Sequence, residues 1–262
     1  MNTDLTGRTA LVTGSTSGIG RAIAAAFASA GADVVVNGRS ADRVAATAEQ
    51  LGEETAGQVR GIAADVSTAE GAGELTAELP EVDVLVNNAG IFSATPVFEI
   101  SDAEWSRFFE VNVLSGARLA RHYAPRMVQR GWGRVVFISS ESSIFIPTEM
   151  VHYGMTKTAQ LSVARGMAQE VAGTGVTVNS VLPGPTLTPG VEEFIRDRVG
   201  PDVPFAEAER RFIAEERPSS LLGRLIRPQE VANLVLHAGS DAGSATSGAA
   251  LRADGGVAPS LA

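Results

Sequence analysis

Seven short runs rich in apolar and β-branched residues recur along the chain, each separated from the next by a longer stretch of different periodicity. The runs are Thr9 to Thr13, Asp33 to Asn37, Val59 to Ala63, Val82 to Val86, Arg134 to Ser139, Val176 to Val181 and Gly248 to Leu251. Between them, amphipathic periodicity predicts helices near 18–30, 40–51, 68–79, 101–130, 151–173 and 227–239. Strands this apolar need cover on both faces. Intervening helices supply it when consecutive strands run parallel through right-handed crossovers. The pattern predicts an α/β fold built as a doubly wound parallel sheet of seven strands flanked by helices.

A length of 262 residues with 44% hydrophobic content provides ample material for one large core. No internal repeat, low-complexity linker or composition shift marks a second domain, so residues 1–262 are expected to form one. The one irregular stretch is 186–226. It carries Pro189, Gly190, Gly200, Pro201, Pro204 and Pro218 around two amphipathic patches that include Phe194, Ile195, Phe205, Phe212 and Ile213. An excursion of this length reads as a substrate lid, with a plain surface helical pair as the alternative.

A formal charge of −9 leaves no broad basic face for nucleic acid or anionic lipid, so neither is expected as a partner. There are no cysteines, and His122, His152 and His237 do not fall in a metal-ligand spacing, so no metal is expected. The chain opens polar, enters its first strand by Thr9 and contains no apolar run of spanning length. Those features predict a cytoplasmic protein.

Directly after the first strand comes Gly14-Ser15-Thr16-Ser17-Gly18-Ile19-Gly20, opening a helical run. Gly14 permits a tight turn, Gly18 lets the backbone approach a pyrophosphate, and Gly20 lets helix and strand pack. The helix N-terminus then faces the anion. A Gly-rich turn alone is weak evidence, but strand on one side and helix on the other is the context the motif requires. About twenty residues on, where a carboxylate would bind ribose hydroxyls, the chain reads Asn37-Gly38-Arg39-Ser40. Without that carboxylate a 2′-phosphate is not repelled, and Arg39 is placed to hold it. NADP(H) is therefore preferred, with NAD(H) possible; the competing reading makes Arg39 a solvated residue at a helix start. Asp65-Val66 ends the third strand, where a carboxylate can accept from an adenine amino group or serve as a turn residue. Asn88-Ala89-Gly90 ends the fourth, with residues small enough for a ribose to approach.

Lys157 is the only lysine in the chain and stands four residues after Tyr153, one of two tyrosines. On a helix this spacing puts both side chains on one face. A nearby ammonium favours phenolate and lowers the tyrosine pKa, making the phenol a usable acid and base. A bare Tyr-x-x-x-Lys is as readily a chance pair on a solvated helix.

The ordered set of Thr13-Gly14-x-x-x-Gly18-Ile19-Gly20, Asn87-Asn88-Ala89-Gly90, Asn112, Ser140, Tyr153-x-x-x-Lys157 and Pro183-Gly184-Pro185-Thr186-Leu187-Thr188 resembles the short-chain dehydrogenase/reductase family, over roughly residues 7–256. The resemblance implies a single Rossmann-type domain, dimers or tetramers formed through the helices at 101–130 and 151–173, and NADP-dependent carbonyl/alcohol chemistry similar to that of 3-oxoacyl reductases. It also implies the catalytic roles. Tyr153 would exchange a proton with the substrate oxygen, Ser140 would bind that oxygen, and Lys157 would tune Tyr153 and hold the nicotinamide ribose. Asn112 would position a water linking Lys157 to solvent. Pro183 and Gly184 would set a turn against the nicotinamide, with Thr186 and Thr188 bonding its amide and the phosphates. The spacing to the tyrosine selects Ser140 over Ser139. A cofactor-binding sensor of the same fold is the alternative to an enzyme. Glu141 and His152 depart from the family pattern, and both are read either as groups near the pocket or as structural hydrogen-bonding residues.

Overall fold

A computed structural model describes residues 2–55 and 57–260, so the extreme ends of the expected 1–262 domain lie outside the described residues. Seven strands, β1 (Thr9–Val12), β2 (Asp33–Gly38), β3 (Val59–Ala63), β4 (Val84–Asn87), β5 (Gly133–Ile138), β6 (Val176–Pro183) and β7 (Ala250–Ala253), form one sheet in the order β3-β2-β1-β4-β5-β6-β7. All six pairings are parallel, with Leu11 registered against Val35 on one side and Leu85 on the other. The order reverses between β1 and β4, which opens a crevice beyond their C-terminal ends.

Helices α1 (Gly18–Ser29) and α9 (Pro228–Ala238) cover one face; α3 (Ala69–Glu78), α5 (Ser115–Arg130) and α6 (Val151–Glu170) cover the other, and α2 (Ala41–Glu54) lies against β2 and β3. Side chains alternate along each strand. Ala10 and Val12 of β1 enter the core with Phe27 and Val235, whereas Leu11 enters the opposite core with Leu119, Tyr123 and Met127. Burial on both faces explains why these strands read as nearly continuous apolar runs.

Two elements differ from their sequence-based bounds in an instructive way. β7 begins at Ala250, two residues later than expected, because Gly248 takes φ +72° and belongs to the approach. The helix expected over 101–130 is divided. α4 (Asp102–Phe109) leads into a π-turn at Glu110–Leu114 before α5 begins. Such turns widen the helix by one residue and commonly mark functional sites. The 186–226 excursion contains α7 (Pro189–Val199) and α8 (Phe205–Glu216), packed on a small core of their own formed by Ile195, Ala208, Phe212, Ile213 and Leu225. Among the described residues no helix is long and apolar enough to cross a membrane.

Candidate active site

The Gly-rich turn joins β1 to α1 at the crevice. Gly14 and Gly18 hold φ near +61° and +56°, a region costly to residues with a Cβ. Space forbids side chains as firmly as torsion does. A Cβ on Gly14 would lie 3.0 Å from Ala89 Cα, and one on Gly20 would lie 2.6 Å from the Gly14 carbonyl oxygen. Asn88 fastens the turn, its amide donating to the Thr13 and Gly14 carbonyls at 2.9 and 3.1 Å. The Thr13 hydroxyl in turn accepts from the Asn88 and Ala89 N–H groups, both at 3.0 Å. Ser17 caps α1 with extended backbone but no side-chain bond, leaving the first-turn N–H groups directed to the crevice.

Thr16, Ser17, Gly38, Arg39, Asp65, Val66 and Asn88 to Gly90 line one cleft. Arg39 and Arg43 both border it and are exposed, and among the described residues neither guanidinium has an ion-pair partner. Asp65 stabilises its own turn, accepting from the Ser67 N–H at 3.1 Å and hydroxyl at 2.6 Å. Ser15 faces the other way. Its hydroxyl donates to the Val12 carbonyl at 2.6 Å and accepts from the Asn37 N–H at 3.0 Å, while its own N–H donates to the Asn37 carbonyl. Ser15 is therefore a buried tie between β1 and β2 rather than a group presented to a ligand.

Through Asn88, Gly90 and Ile91 this cleft continues into a second cavity bordered by Ile19, Ser140, Tyr153, Lys157, Pro183, Gly184, Thr186 and Thr188. Gly184 is required where β6 passes β7, since a Cβ there would stand 2.7 Å from the Asp254 carbonyl oxygen. Thr186 donates to the Gly184 carbonyl at 2.8 Å, and Thr188 caps α7 by accepting from the Val191 N–H at 3.3 Å. Thr188 also stands over the Gly-rich turn, 3.1 Å from the position of a Cβ on Gly18.

α6 presents Tyr153 and Lys157 to the cavity from one face. The Lys157 ammonium donates to the Ile138 carbonyl at 2.9 Å and lies 5.5 Å from the Tyr153 ring centre. Burial pulls the Lys157 pKa down to about 8, with the Glu141 carboxylate opposing that fall. Burial likewise pushes the Tyr153 phenol above its ordinary range, and Glu141 adds to the rise; a Ser140 hydrogen bond and the Arg217 charge oppose it. The phenol is thus raised, not lowered, in the folded chain by its burial and by Glu141.

Ser140 is the serine directed at Tyr153. Its oxygen accepts from the Ser142 N–H at 3.1 Å and its hydroxyl donates to the Glu141 carboxylate. Ser139 instead donates to the Lys157 carbonyl at 2.8 Å, anchoring α6 to the end of β5. Asn112 sits in the π-turn, fully buried. Its Oδ1 accepts from the Ile91 N–H at 2.8 Å, and its Nδ2 donates to the Ile91 carbonyl and the Thr156 hydroxyl, both at 3.0 Å.

The profile of the short chain dehydrogenase family matches residues 8–198. The chain belongs to that family.

Relatives of this short-chain dehydrogenase extend over its whole length. It is similar to the oxidoreductase YvaG of Bacillus subtilis, 51% identical over 263 residues and covering all of both chains. Among solved structures it is similar to L-sorbose reductase of Gluconobacter frateurii in complex with NADPH and L-sorbose, with a TM-score of 0.92, 31% identity and full coverage of both chains. A structure described as an NAD(P)-dependent gluconate 5-dehydrogenase of Beutenbergia cavernae, with NADP bound at low occupancy, gives a TM-score of 0.89 at 35% identity, covering 99% of this chain and all of that one.

Sequence reading missed Arg43 and Arg217 of this dehydrogenase. Arg43 stands in the first turn of α2, four residues after Arg39, and a second cation at the start of that expected helix was a usable signal. Phe92 packs edge-on to Tyr153 at 6.3 Å and to Phe194 at 6.0 Å, linking the Gly90 loop to the α7–α8 excursion. Arg217, just after α8, is buried beside Glu141. His152 points away from the cavity. It is fully buried against Phe108, its ring nitrogen 3.2 Å from the Ser93 hydroxyl, and burial lowers its pKa.

Proposed function

We propose that this dehydrogenase interconverts a small-molecule carbonyl compound and a secondary alcohol with NADP(H). The observation carrying the reading is the convergence of Ser140, Tyr153 and Lys157 on one cavity that continues into the cleft of the Gly-rich turn. The glycine-only crevice, the open first turn of α1, and the unpartnered Arg39 and Arg43 suit a dinucleotide bearing a 2′-phosphate. The NADPH held by the similar L-sorbose reductase is in line with the same choice. When bound, the nicotinamide supplies or accepts the hydride.

The chain's own residues handle the proton and the oxygen. Tyr153 protonates the substrate oxygen during reduction and takes the hydroxyl proton during oxidation. Its raised pKa keeps it in the acid form, which suits reduction. Ser140 donates to the same oxygen and fixes its direction. Lys157 keeps positive charge below the phenol and holds the nicotinamide ribose, and Asn112 keeps the Ile91 loop and α6 at their separation. An apolar groove bordered by Leu114, Ala124 and Val128 of the α5 region and Met167 of α6 supports pairing of subunits through these helices.

The test is a screen of ketones, aldehydes and acyl thioesters followed by NADPH oxidation. Turnover of one class supports the reading. Tight NADPH binding without turnover of any class transfers it to a cofactor-binding sensor.

A further inference from the structure

Ser140 has a single hydroxyl hydrogen, and in the folded chain that hydrogen goes to the Glu141 carboxylate. To hold a reacting carbonyl oxygen, Ser140 must donate to it instead. Glu141 is 5% exposed, and a buried carboxylate that loses a donor without replacement is penalised. A substrate with a plain alkyl chain leaves that loss uncompensated.

Arg217 stands on the other side of Glu141. Its Nε lies 3.8 Å from Glu141 Oε1, too far for a direct hydrogen bond, and it is itself 7% exposed. Its Nη1 donates to the Glu216 carbonyl at 2.7 Å and lies 4.0 Å from Glu149. Both Arg217 and Glu141 line the cavity beside otherwise apolar walls of Phe92, Phe194 and Phe212. Donor and acceptor left just out of mutual reach at a cavity wall are complementary to a hydroxyl, which both accepts and donates. A ligand carboxylate at the same place would meet the Glu141 charge.

We propose that Glu141 and Arg217 bind a hydroxyl on the carbon adjacent to the reacting carbonyl, so that the substrate is an α-hydroxy ketone or aldehyde and its reduced form a vicinal diol. The adjacency follows from Ser140, whose hydroxyl lies within one hydrogen bond of the Glu141 carboxylate and would hold the carbonyl oxygen at the same short range. A hydroxyl on the neighbouring carbon spans the same short step. The proposal rests on the carbonyl–alcohol reading of the site.

The experiment measures NADPH oxidation by the full chain with α-hydroxy ketones of three to six carbons, the corresponding deoxy ketones and 2-oxo acids. The hydroxy ketones should exceed their deoxy analogues in kcat/KM by about a hundredfold or more, the scale of discrimination reached when a buried polar site is left unpaired. Glu141→Gln and Arg217→Leu should each shrink that ratio by about tenfold, the worth of one hydrogen bond, with NADPH affinity retained as the sign of an intact fold. Equal turnover of hydroxy and deoxy ketones overturns the proposal, as does preference for 2-oxo acids or an unchanged ratio in both NADPH-binding variants. Failure of every carbonyl compound is a different result, and it removes the reaction itself.

Discussion

The Asn112 amide donates to the Thr156 hydroxyl at 3.0 Å, joining the π-turn between α4 and α5 to the helix that carries Tyr153 and Lys157. Because the same side chain brackets both polar backbone groups of Ile91, it spaces three segments around the cavity. Asn112→Ala leaves the part-buried N–H and carbonyl of Ile91 without their partner, a loss on the order of 2 kcal/mol. The expected outcome is a clear fall in Tm with reduced kcat. An Ala variant with unchanged Tm would rule out the tie.

Tyr153→Phe removes the proton donor while keeping the ring that packs on Phe92. Turnover should fall by roughly 10² to 10⁴-fold, the usual worth of a positioned general acid. The NADPH dissociation constant, read by fluorescence titration, should stay close to wild type. Full activity in this variant would reassign the proton to another group.

Most of the sheet was legible because parallel strands buried on both faces must be apolar throughout, as Val34 to Val36 and Val84 to Val86 are. The Gly-rich turn was legible because torsion excludes side chains at Gly14 and Gly18, and space excludes one at Gly20. The π-turn at Asn112 was not, since local periodicity records neither the extra residue in the turn nor the tertiary hydrogen bonds of Asn112 to Ile91. Ser15 misled for a related reason. Its place within a nucleotide-binding motif does not reveal that its hydroxyl is taken by Val12 and Asn37. Arg217 lay beyond reach altogether, because only the folding of 186–226 brings it to Glu141, 76 positions away in sequence.

Arg39→Ala should weaken NADPH far more than NADH. Losing one charge-assisted contact to a phosphate is worth about 1.5 to 3 kcal/mol, roughly ten- to hundredfold in relative affinity. Arg43→Ala should act in the same direction. Equal effects on the two cofactors in both variants would show that these arginines do not read the 2′-phosphate.

Lys157 carries the chain's only side-chain amine, and its pKa near 8 makes two consequences measurable. An amine-directed reagent small enough for the cleft should modify it with a rate that rises through pH 8, and NADPH should protect it; peptide mapping separates this from the N-terminus. Stability carries the same signature. Between pH 8 and about 10 the unfolded lysine still holds its proton while the folded one has lost it, so this group makes stability rise with pH across that window. Lys157→Met should flatten the rise in a series of urea titrations.

Glu141 raises the Tyr153 pKa, second only to burial. In the oxidative direction the phenol must first lose its proton, so rate climbs with pH through that pKa. Glu141→Gln removes the charge and should move the rising limb of kcat/KM for alcohol oxidation to lower pH. A shift to higher pH, or none, would contradict the field assigned to this carboxylate.

The α7–α8 excursion encloses its own cluster of Ile195, Phe212 and Leu225, apart from the two cores of the sheet. A wall that holds its shape by internal packing can be exchanged without disturbing what it faces. Substituting 189–216 with the equivalent stretch of a relative would then replace one side of the substrate cavity and leave the hydride-transfer machinery in place, making this segment a natural unit for transplanting specificity.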